Sequence, residues 1–277
     1  MKSPLITISI PTYNSEKFIG RCLEAIKRQN YSNIEINIID GGSTDQTVNI
    51  ARKEGIKDIF ICKDALLAAR FEGVKHAKGE FVLLLDSDQI LDKTAIARAV
   101  EKIEANKLDM LVLEEHVYKP QTFLEHLFEA DRKLIHEVAD MSPYTGVVLP
   151  RFYKRRLLES AMKKIPKDVL LHVGGQDHAI IYYEAWQKSQ KVGLLETAVF
   201  HIEPSSYRVM WQKFYRWGRT SAKAHHSRYD KLLVKKERFR TGLFRPGLIK
   251  ASLASVVLLI LKGIPYKLGY YQATLLS

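Results

Sequence analysis

The chain has 277 residues, 46% of them hydrophobic and 27% charged, a composition typical of a globular protein with one large domain or a domain and an appendage. Its two cysteines exclude a disulfide framework and a cysteine-rich metal site. No basic-then-apolar leader opens the sequence, so we expect a cytosolic protein.

The net charge of +12 is concentrated near the end of the sequence. Residues 208–250 contain 13 Lys or Arg and 2 Asp or Glu, a net charge of +11, and the remainder is therefore close to neutral. A segment this basic predicts an anionic partner, which is a phospholipid surface, a nucleic acid or an acidic substrate.

Short apolar runs alternate with amphipathic segments in the first half of the chain. The predicted strands are residues 6–10, 34–39, 59–62, 81–85 and 110–113, and the predicted helices between them include 66–77 and 93–106. Strands that alternate with helices predict an α/β fold, with a mainly parallel sheet covered by helices on both faces.

The second half is less regular, and from Tyr207 onward it is helical, aromatic and basic. Helices are predicted at residues 122–135 and 178–187, and a strand at 197–201. Residues 248–261 are apolar apart from Lys250 and two serines, but these 14 residues fall short of the about 20 that span a bilayer. The segment is either a core helix or a helix in the membrane interface, and the neighbouring basic and tyrosine-rich sequence favours the interface.

Two carboxylates directly follow the predicted strand at residues 81–85. Asp86 and Asp88 flank Ser87 at the carboxyl end of that strand. Ligands bind at this edge of parallel sheets, and a pair of carboxylates there can hold Mg²⁺ together with a substrate's phosphates. The alternative is a polar turn that only ends the strand.

Four segments of the chain form one set of motifs, namely Ile8–Asn14, Asp40–Asp45, Ala69–Arg70 with Ala77–Glu80, and Leu85–Asp88. In this order they resemble motifs of the family 2 glycosyltransferases, which are inverting enzymes of the GT-A fold. Four motifs in the right order and spacing are much more specific than any one of them. The resemblance implies a Rossmann-like, mainly parallel GT-A sheet, followed here by basic and apolar C-terminal helices.

The resemblance also implies which residues bind a nucleotide-sugar donor, here a UDP- or GDP-sugar. In the family, the segment that ends the first strand lines the nucleobase, and the carboxylate at the position of Asp40 accepts an N–H from the base. Arg70 corresponds to an arginine near the nucleotide, where it could bridge Asp40 or another carboxylate, and the alternative is a position on a surface helix. The implied donor-binding residues are Pro11, Thr12, Tyr13, Asp40, Arg70, Asp86 and Ser87.

The implied cofactor is Mg²⁺ or Mn²⁺. In the family's pattern Asp88 binds the metal directly, Asp86 faces the ribose or the metal, and a histidine at the position of His201 completes the site in many relatives. The ion acts as the Lewis acid that stabilises the departing nucleoside diphosphate. A lone histidine at a strand end could also be purely structural.

The sequence Gly174–Asp177 stands where family members carry an acidic pair, usually Glu-Asp. The resemblance implies that Asp177 is the general base that takes the acceptor hydroxyl's proton. The alternative is an aspartate that caps the following helix. Gln176 replaces the first acidic residue, so it can hydrogen-bond the donor or the acceptor but cannot share a proton.

The segment Gln212–Trp217 resembles the Gln-x-x-Arg-Trp motif of processive members, with one residue more between the glutamine and the arginine. The extra residue shifts the glutamine around the helix, so the resemblance does not imply that this chain is processive. Arg216 and Trp217 are candidates for contact with the acceptor or the diphosphate, and a plain amphipathic, basic helix explains them about as well.

The acceptor is indicated only indirectly. A basic, aromatic C-terminal third suits a peripheral enzyme on the anionic cytoplasmic face of a membrane, which favours a lipid-linked saccharide. A polyprenyl or dolichyl phosphate is the alternative acceptor, but a phosphate needs little base assistance, and Asp177 therefore favours a hydroxyl.

Two further functions are weighed against sugar transfer. A non-catalytic lipid- or nucleic-acid-binding protein would explain the basic segment, but it has no use for converging carboxylates, so we expect no nucleic acid partner. Nucleotidyl transfer would share the fold and the metal, but the glycine- and lysine-rich phosphate loop it needs near the N-terminus is missing from the sequence.

Three regions are predicted along the chain. Residues 1–115 form the nucleotide-sugar-binding half of the GT-A domain, and residues 116–220 form the acceptor-binding and catalytic half. Residues 221–277 form a basic and apolar helical region that associates with the membrane.

Overall fold

The computed structural model describes residues 3–137, 140–144, 148–222, 228–229, 232 and 247–275. Within them, an eight-stranded sheet is covered by helices, and the α/β prediction is confirmed. The strands are β1 Ile6–Thr12, β2 Ile34–Asp40, β3 Ile59–Ile61, β4 Phe81–Leu84, β5 Gln89–Leu91, β6 Met110–Val117, β7 Pro150–Lys154 and β8 Val192–His201. The helices are α1 Ile19–Lys27, α2 Thr47–Lys53, α3 Leu66–His76, α4 Ala95–Ala105, α5 Phe123–Glu137, α6 Arg155–Met162, α7 Lys167–His172, α8 Asp177–Trp186, α9 Tyr207–Ala222 and α10 Ile249–Leu275.

The sheet has the strand order β3-β2-β1-β4-β7-β6-β8-β5. Strands β1 to β4 pair with one another in parallel, as predicted for the first half of the chain. Strand β7 runs antiparallel to both β4 and β6, and β5 runs antiparallel to β8, so the sheet as a whole is mixed. Strands β5 and β7 were not predicted, because β5 has three residues and β7 lies within a basic stretch whose apolar residues are few.

Strand β4 is buried on both faces, which explains its continuous apolar sequence. Phe81 and Leu83 pack in one core cluster with β1, α1 and α4, whereas Val82 and Leu84 pack in a second cluster with α6 and α8. Burial of each such side chain contributes about 1.5–3 kcal/mol. The strand that leads to Asp86 is therefore held rigidly at the centre of the molecule.

Helix α10 is longer than the predicted apolar segment, since it runs for 27 residues with Pro265 inside it. By length and composition it is long enough and apolar enough to cross a membrane, so the expectation that the segment is too short to span is wrong. A proline removes one hydrogen bond from the helical ladder, and here the helix continues past it to Leu275.

Helix α10 packs closely on α9 at two glycines. A Cβ atom on Gly218 would lie 1.9 Å from the carbonyl oxygen of Tyr266, and one on Gly269 would lie 2.1 Å from that of Tyr215. Only glycine lets two backbones approach this closely. On its other side α10 contacts α5, where Ser255 and Lys262 bind the buried Asp131.

The predicted division into three regions stays a prediction. The boundary after residue 115 falls within β6, Met110–Val117. In the predicted third region, residues 223–227, 230–231, 233–246 and 276–277 lie outside the described residues, and so does much of the basic run 208–250.

Candidate active site

The carboxyl ends of β1, β2 and β4 meet at one edge of the sheet, because the three strands are parallel neighbours. Asp86, Ser87 and Asp88 follow β4 at this edge. The backbone N–H of Asp86 donates to Oε1 of Gln89 at 2.9 Å, and the Ser87 hydroxyl donates to Ser15 Oγ at 2.9 Å. The junction is therefore a tight turn that also presents two carboxylates.

Asp40 is buried at the end of β2, where it organises the following loop. Its Oδ2 accepts hydrogen bonds from the backbone N–H groups of Gly42 at 2.9 Å and Ser43 at 2.8 Å. Its Oδ1 accepts from the hydroxyls of Ser43 at 2.6 Å and Thr12 at 3.1 Å. These four bonds show a structural role, and the predicted contact between Asp40 and a nucleobase stays a prediction.

The three residues predicted to line the nucleobase differ in exposure. Pro11 and Thr12 are buried in β1, whereas the Tyr13 side chain is 58% exposed. Tyr13 is thus the member of this set whose ring is available for stacking at the sheet edge.

Arg70 is buried on α3 and joins two of the predicted site carboxylates. Its Nη2 lies 2.5 Å from Asp86 Oδ1, and its Nε donates to Asp177 Oδ2. A position on a surface helix, the alternative for Arg70, is wrong because its side chain is 1% exposed. One guanidinium therefore joins Asp86 to Asp177, and Asp177 lies 107 positions from Arg70 in the sequence.

Asp177 is the first residue of α8, and Gln176 is the N-cap residue. Gln176 has a positive φ of 65°, in the left-handed region that non-glycine residues seldom adopt. Because Gln176 holds the N-cap position, the alternative role of Asp177 as the cap of the helix is wrong. Its position at the helix N-terminus places its negative charge at the favourable end of the helix dipole.

Asp86 is paired on both of its oxygens. Besides Arg70 at Oδ1, Arg151 Nη1 lies 3.0 Å from Oδ2. Burial by itself raises the pKa of Asp86, but the charges of Arg70 and Arg151 outweigh burial and hold that pKa well below its ordinary value. The carboxylate is therefore charged throughout the physiological pH range.

Asp86, Asp88 and His201 each offer one ligand atom, and these atoms lie within 4.8 Å of one another. His201 Nε2 lies 3.4 Å from Asp88 Oδ1, and His201 Nδ1 lies 3.4 Å from Glu203 Oε1. Carboxylate oxygens with one neutral imidazole suit Mg²⁺ or Mn²⁺. Since both oxygens of Asp86 are already paired with arginines, Asp88 and His201 are the better donors.

A comparison with known families adds to this geometry. The family model described as glycosyl transferase family 2 matches residues 7–165, which is more than half of the chain. The chain belongs to glycosyl transferase family 2.

Several curated proteins are similar to this family 2 chain. The uncharacterized glycosyltransferase EpsJ of Bacillus subtilis is 26% identical over 213 residues, which cover 71% of this chain and 60% of EpsJ. The glycosyltransferase GlyA of Streptococcus pneumoniae is 27% identical over 208 residues, which cover 73% of this chain and 30% of GlyA. The chain thus spans at most 60% of the length of these two relatives.

Solved structures share the fold of this family 2 chain. Residues 1–349 of S. aureus TarS in complex with UDP-GlcNAc match with a TM-score of 0.56 at 17% identity, covering 97% of this chain and 92% of that one. The mannosyltransferase PcManGT from Pyrobaculum calidifontis, in complex with GDP-Man and Mn²⁺, matches with a TM-score of 0.57 at 18% identity, covering 99% of this chain and 81% of that one. The predicted GT-A fold is confirmed.

Four charged residues that were not predicted from the sequence extend the site. Arg151 Nε lies 2.5 Å from Glu115 Oε1, and Arg132 pairs with both Glu115 and Glu203. Burial raises the pKa of Glu115, but Arg151 and Arg132 outweigh it and lower that pKa to about 2. Opposite charges therefore alternate from Asp177 through Arg70, Asp86, Arg151, Glu115 and Arg132 to Glu203.

One of these four residues, Glu115, could have been proposed as a site residue from the sequence. Glu115 is the second residue after the apolar run Met110–Leu113, and a carboxylate that follows a predicted strand is a candidate for the site, although β6 itself continues to Val117. Arg132 and Arg151 lie in the less regular half and belong to no motif that we recognised in the sequence.

Helix α9 contacts the site at two places, with Lys213 beside Asp88 and with Ser221 beside the loop before Asp177. Lys213 Nζ lies 3.8 Å from Asp88 Oδ2 and 5.2 Å from the centroid of the Trp217 ring. A Cβ atom on Gly175, next to Gln176, would lie 2.8 Å from Ser221 Oγ, so the loop before Asp177 rests on the same helix. The two residues predicted on α9, Arg216 and Trp217, are both exposed, and of the two it is Trp217 whose ring lies close to a residue beside the site, Lys213.

Proposed function

We propose that this chain transfers a sugar, with inversion, from a UDP- or GDP-sugar to a hydroxyl of a lipid-linked saccharide at a membrane surface. The observation that supports the reaction is the convergence of Asp88, His201 and Asp177 at one edge of the sheet, where Arg70 and Asp86 connect them. A protein that only binds anions has no need of this set of carboxylates.

In this mechanism Asp177 accepts the proton of the acceptor hydroxyl as the hydroxyl oxygen bonds to the anomeric carbon. The bond between that carbon and the β-phosphate oxygen breaks, and its electron pair remains on the nucleoside diphosphate. Arg70 Nε donates a hydrogen bond to Asp177 Oδ2, whereas Oδ1 of the same carboxylate has no protein partner among the described residues. The arginine thus orients the carboxylate so that its unpaired oxygen serves as the base.

Asp88 and His201 are the residues that would hold Mg²⁺ or Mn²⁺. A bound divalent ion supplies Lewis-acid stabilisation of the charge that develops on the diphosphate. Glu203 Oε1 lies 3.4 Å from His201 Nδ1, which makes no hydrogen bond among the described residues, and a carboxylate that closed on this nitrogen would orient a metal-binding imidazole. Asp86 and Ser87 face the ribose in this proposal, with Tyr13 and the Asp40 loop beside the base.

The membrane part of the proposal is supported by α10, whose exposed side carries a row of large apolar residues. Eight large apolar residues that are 43–85% exposed recur every three or four positions along the helix. They form the apolar stripe Ile249, Leu253, Val257, Ile260, Ile264, Leu268, Tyr271 and Leu275. The inner side carries Ser252, Ser255 and Lys262 beside the buried Leu258, so an apolar surface faces outward although polar groups are buried beneath the helix.

Because α9 and α5 cover the inner side of α10, the helix lies along the membrane interface in this proposal and does not cross the bilayer. The basic run 208–250 precedes the stripe, and each Lys or Arg near an anionic surface contributes about 1 kcal/mol. The cytoplasmic face, which carries anionic lipids, is the proposed place of action. A polyprenyl or dolichyl phosphate remains the alternative acceptor.

A ligand panel tests the donor assignment. We expect UDP or GDP to raise the melting temperature by several degrees in the presence of Mn²⁺, because ligand at about 100 times Kd stabilises the folded state by about 2.7 kcal/mol. EDTA should remove most of this shift, and release of nucleoside diphosphate from the matching nucleotide sugar should require the metal. A protein stabilised equally by any polyanion, without dependence on the metal, would be a non-catalytic binder.

A flotation assay tests the membrane assignment. We expect the combined variant Leu253→Gln, Ile260→Gln, Leu268→Gln to bind vesicles of phosphatidylcholine and phosphatidylglycerol about tenfold or more weakly, because three inserted apolar side chains are lost. The control Ile61→Gln removes a side chain that is 60% exposed at the end of β3 and should float like the wild type.

Substitution within the stripe is a sharper test than truncation, because removal of α10 would uncover the core residues Leu124, Phe128 and Met210. Equal flotation of the combined variant and the wild type would reject the stripe as a membrane surface.

A further inference from the structure

Lys213 stands beside the proposed metal ligands without being hydrogen-bonded to them. Its Nζ lies 3.8 Å from Asp88 Oδ2 and 3.9 Å from Glu203 Oε2, both beyond ordinary hydrogen-bond distance. Among the described residues the ammonium makes no hydrogen bond, so its three donors remain available. Its side chain is 18% exposed, which leaves it a route to a ligand in the site.

The surroundings hold this ammonium close to Asp88 even though no hydrogen bond fixes it. The face of the Trp217 ring lies 5.2 Å from Nζ, and a cation is attracted to that face. Glu203 is shared with Arg132 and His201, so it is not a dedicated partner for the lysine. Movement of the ammonium by a few ångströms therefore breaks no strong interaction.

A positive charge at this place affects two ligands in opposite directions. A divalent cation at Asp88 and His201 shares the Asp88 carboxylate with Lys213, and like charges repel. The diphosphate of a nucleotide is negative, and a lysine with free donors binds phosphate oxygens as a point charge. Lys213 therefore weakens the binding of the metal alone and strengthens the binding of the diphosphate.

We propose that Lys213 couples the two ligands, so that the divalent ion is retained at Asp88 chiefly together with a nucleoside diphosphate. This inference rests on the proposed function and extends it by a residue and by an order of binding. The proposed coupling is a thermodynamic linkage, in which the divalent ion and the nucleoside diphosphate each raise the affinity for the other by the same factor.

The test is Lys213→Met in the full chain, with two binding measurements. We expect binding of Mn²⁺ alone, followed by the EPR signal of free Mn²⁺, to become about fivefold tighter. We expect calorimetric binding of UDP or GDP at saturating Mn²⁺ to become about tenfold weaker, because a charge-assisted contact is lost. Lys213→Arg keeps the positive charge on which the proposed coupling depends, and it should leave both affinities within about threefold of the wild type.

Arg219→Met is the matched control, since it removes an exposed charge from the same helix and should change neither affinity more than about twofold. If Lys213→Met does not fold, Lys213→Gln replaces it in the same two measurements. Shifts of both affinities in the same direction, or no shift in either, would overturn the coupling. Wild-type protein that binds Mn²⁺ but neither nucleotide would instead reject the proposed function.

Discussion

Replacement of Asp177 by asparagine is expected to lower kcat for sugar transfer by about 10²–10⁴, the range that general base catalysis contributes. Asparagine keeps the size of the side chain and an oxygen that can accept from Arg70 Nε, but it cannot take a proton. Affinity for the nucleoside diphosphate should stay within about threefold, because Asp177 contacts the acceptor in the proposed mechanism. Initial rates and calorimetry on the same preparation separate the two effects.

The neighbouring helix α7 offers a control for this variant. Asp168→Asn removes an exposed carboxylate there and should leave both rate and affinity unchanged. Undiminished transfer by Asp177→Asn would exclude Asp177 as the base. That result would favour a polyprenyl or dolichyl phosphate as acceptor, since a phosphate attacks without losing a proton to the protein.

Replacement of Arg70 by methionine is expected to reduce the free energy of unfolding by about 3–5 kcal/mol, as for other buried ion pairs that lose one partner. Asp86 would keep Arg151, but Asp177 would lose the ion-pair partner that the structure gives it. Equilibrium unfolding in urea at pH 7 measures the loss. Arg28→Met is the control, because its pair with Glu24 is exposed on both sides and such pairs contribute about 0–1 kcal/mol.

The effect of Arg70→Met should also depend on pH. The folded-state pKa of Asp86 lies well below its ordinary value, so its ion pairs contribute stability above the unfolded pKa of about 3.9 and lose it as pH falls towards the folded pKa. In the variant, carboxylates without Arg70 can take up protons as the pH falls. The difference from the wild type should therefore shrink below about pH 4, and a difference under 1 kcal/mol at pH 7 would contradict the assignment.

Both variants act on one connected set of charges. Arg70, Arg151 and Arg132 each join two carboxylates, and the set runs from Asp177 beside α8 to Glu203 beside His201. Arginine suits this arrangement because its rigid fork of donors can bind two carboxylates at once. The arginines thus fix the carboxylates in place, and they also explain why Asp86 is a weaker candidate than Asp88 for the metal.

Much of the nucleotide half could be predicted from sequence, because its signals are local. A buried parallel strand reads as a short apolar run, and β1, β2 and β4 are all of this kind. Each of these strands leads directly to polar residues, so Thr12, Asp40 and Asp86 could be assigned to one edge before the structure was known. The motif that contains Asp177 was instead predicted from its resemblance to a family pattern.

The rest could not be predicted, because it depends on contacts between residues far apart in sequence. Strand β7 has only five residues, and it forms because β4 and β6 leave a position between them. Arg151 on that strand is placed against both Asp86 and Glu115 by this antiparallel pairing. No spacing in the sequence reveals such an ion pair, since it depends on which strands become neighbours.

The sequence by itself determined the α/β architecture, the edge where the carboxylates gather and the apolar character of the C-terminal helix, since each follows from local periodicity and composition. Only the tertiary structure decided that Arg70 joins Asp86 to Asp177, that Lys213 lies beside Asp88 and that α10 turns its apolar stripe outward. The physical reason is that a helix or a strand specifies its own faces, whereas packing against distant elements specifies what each face meets.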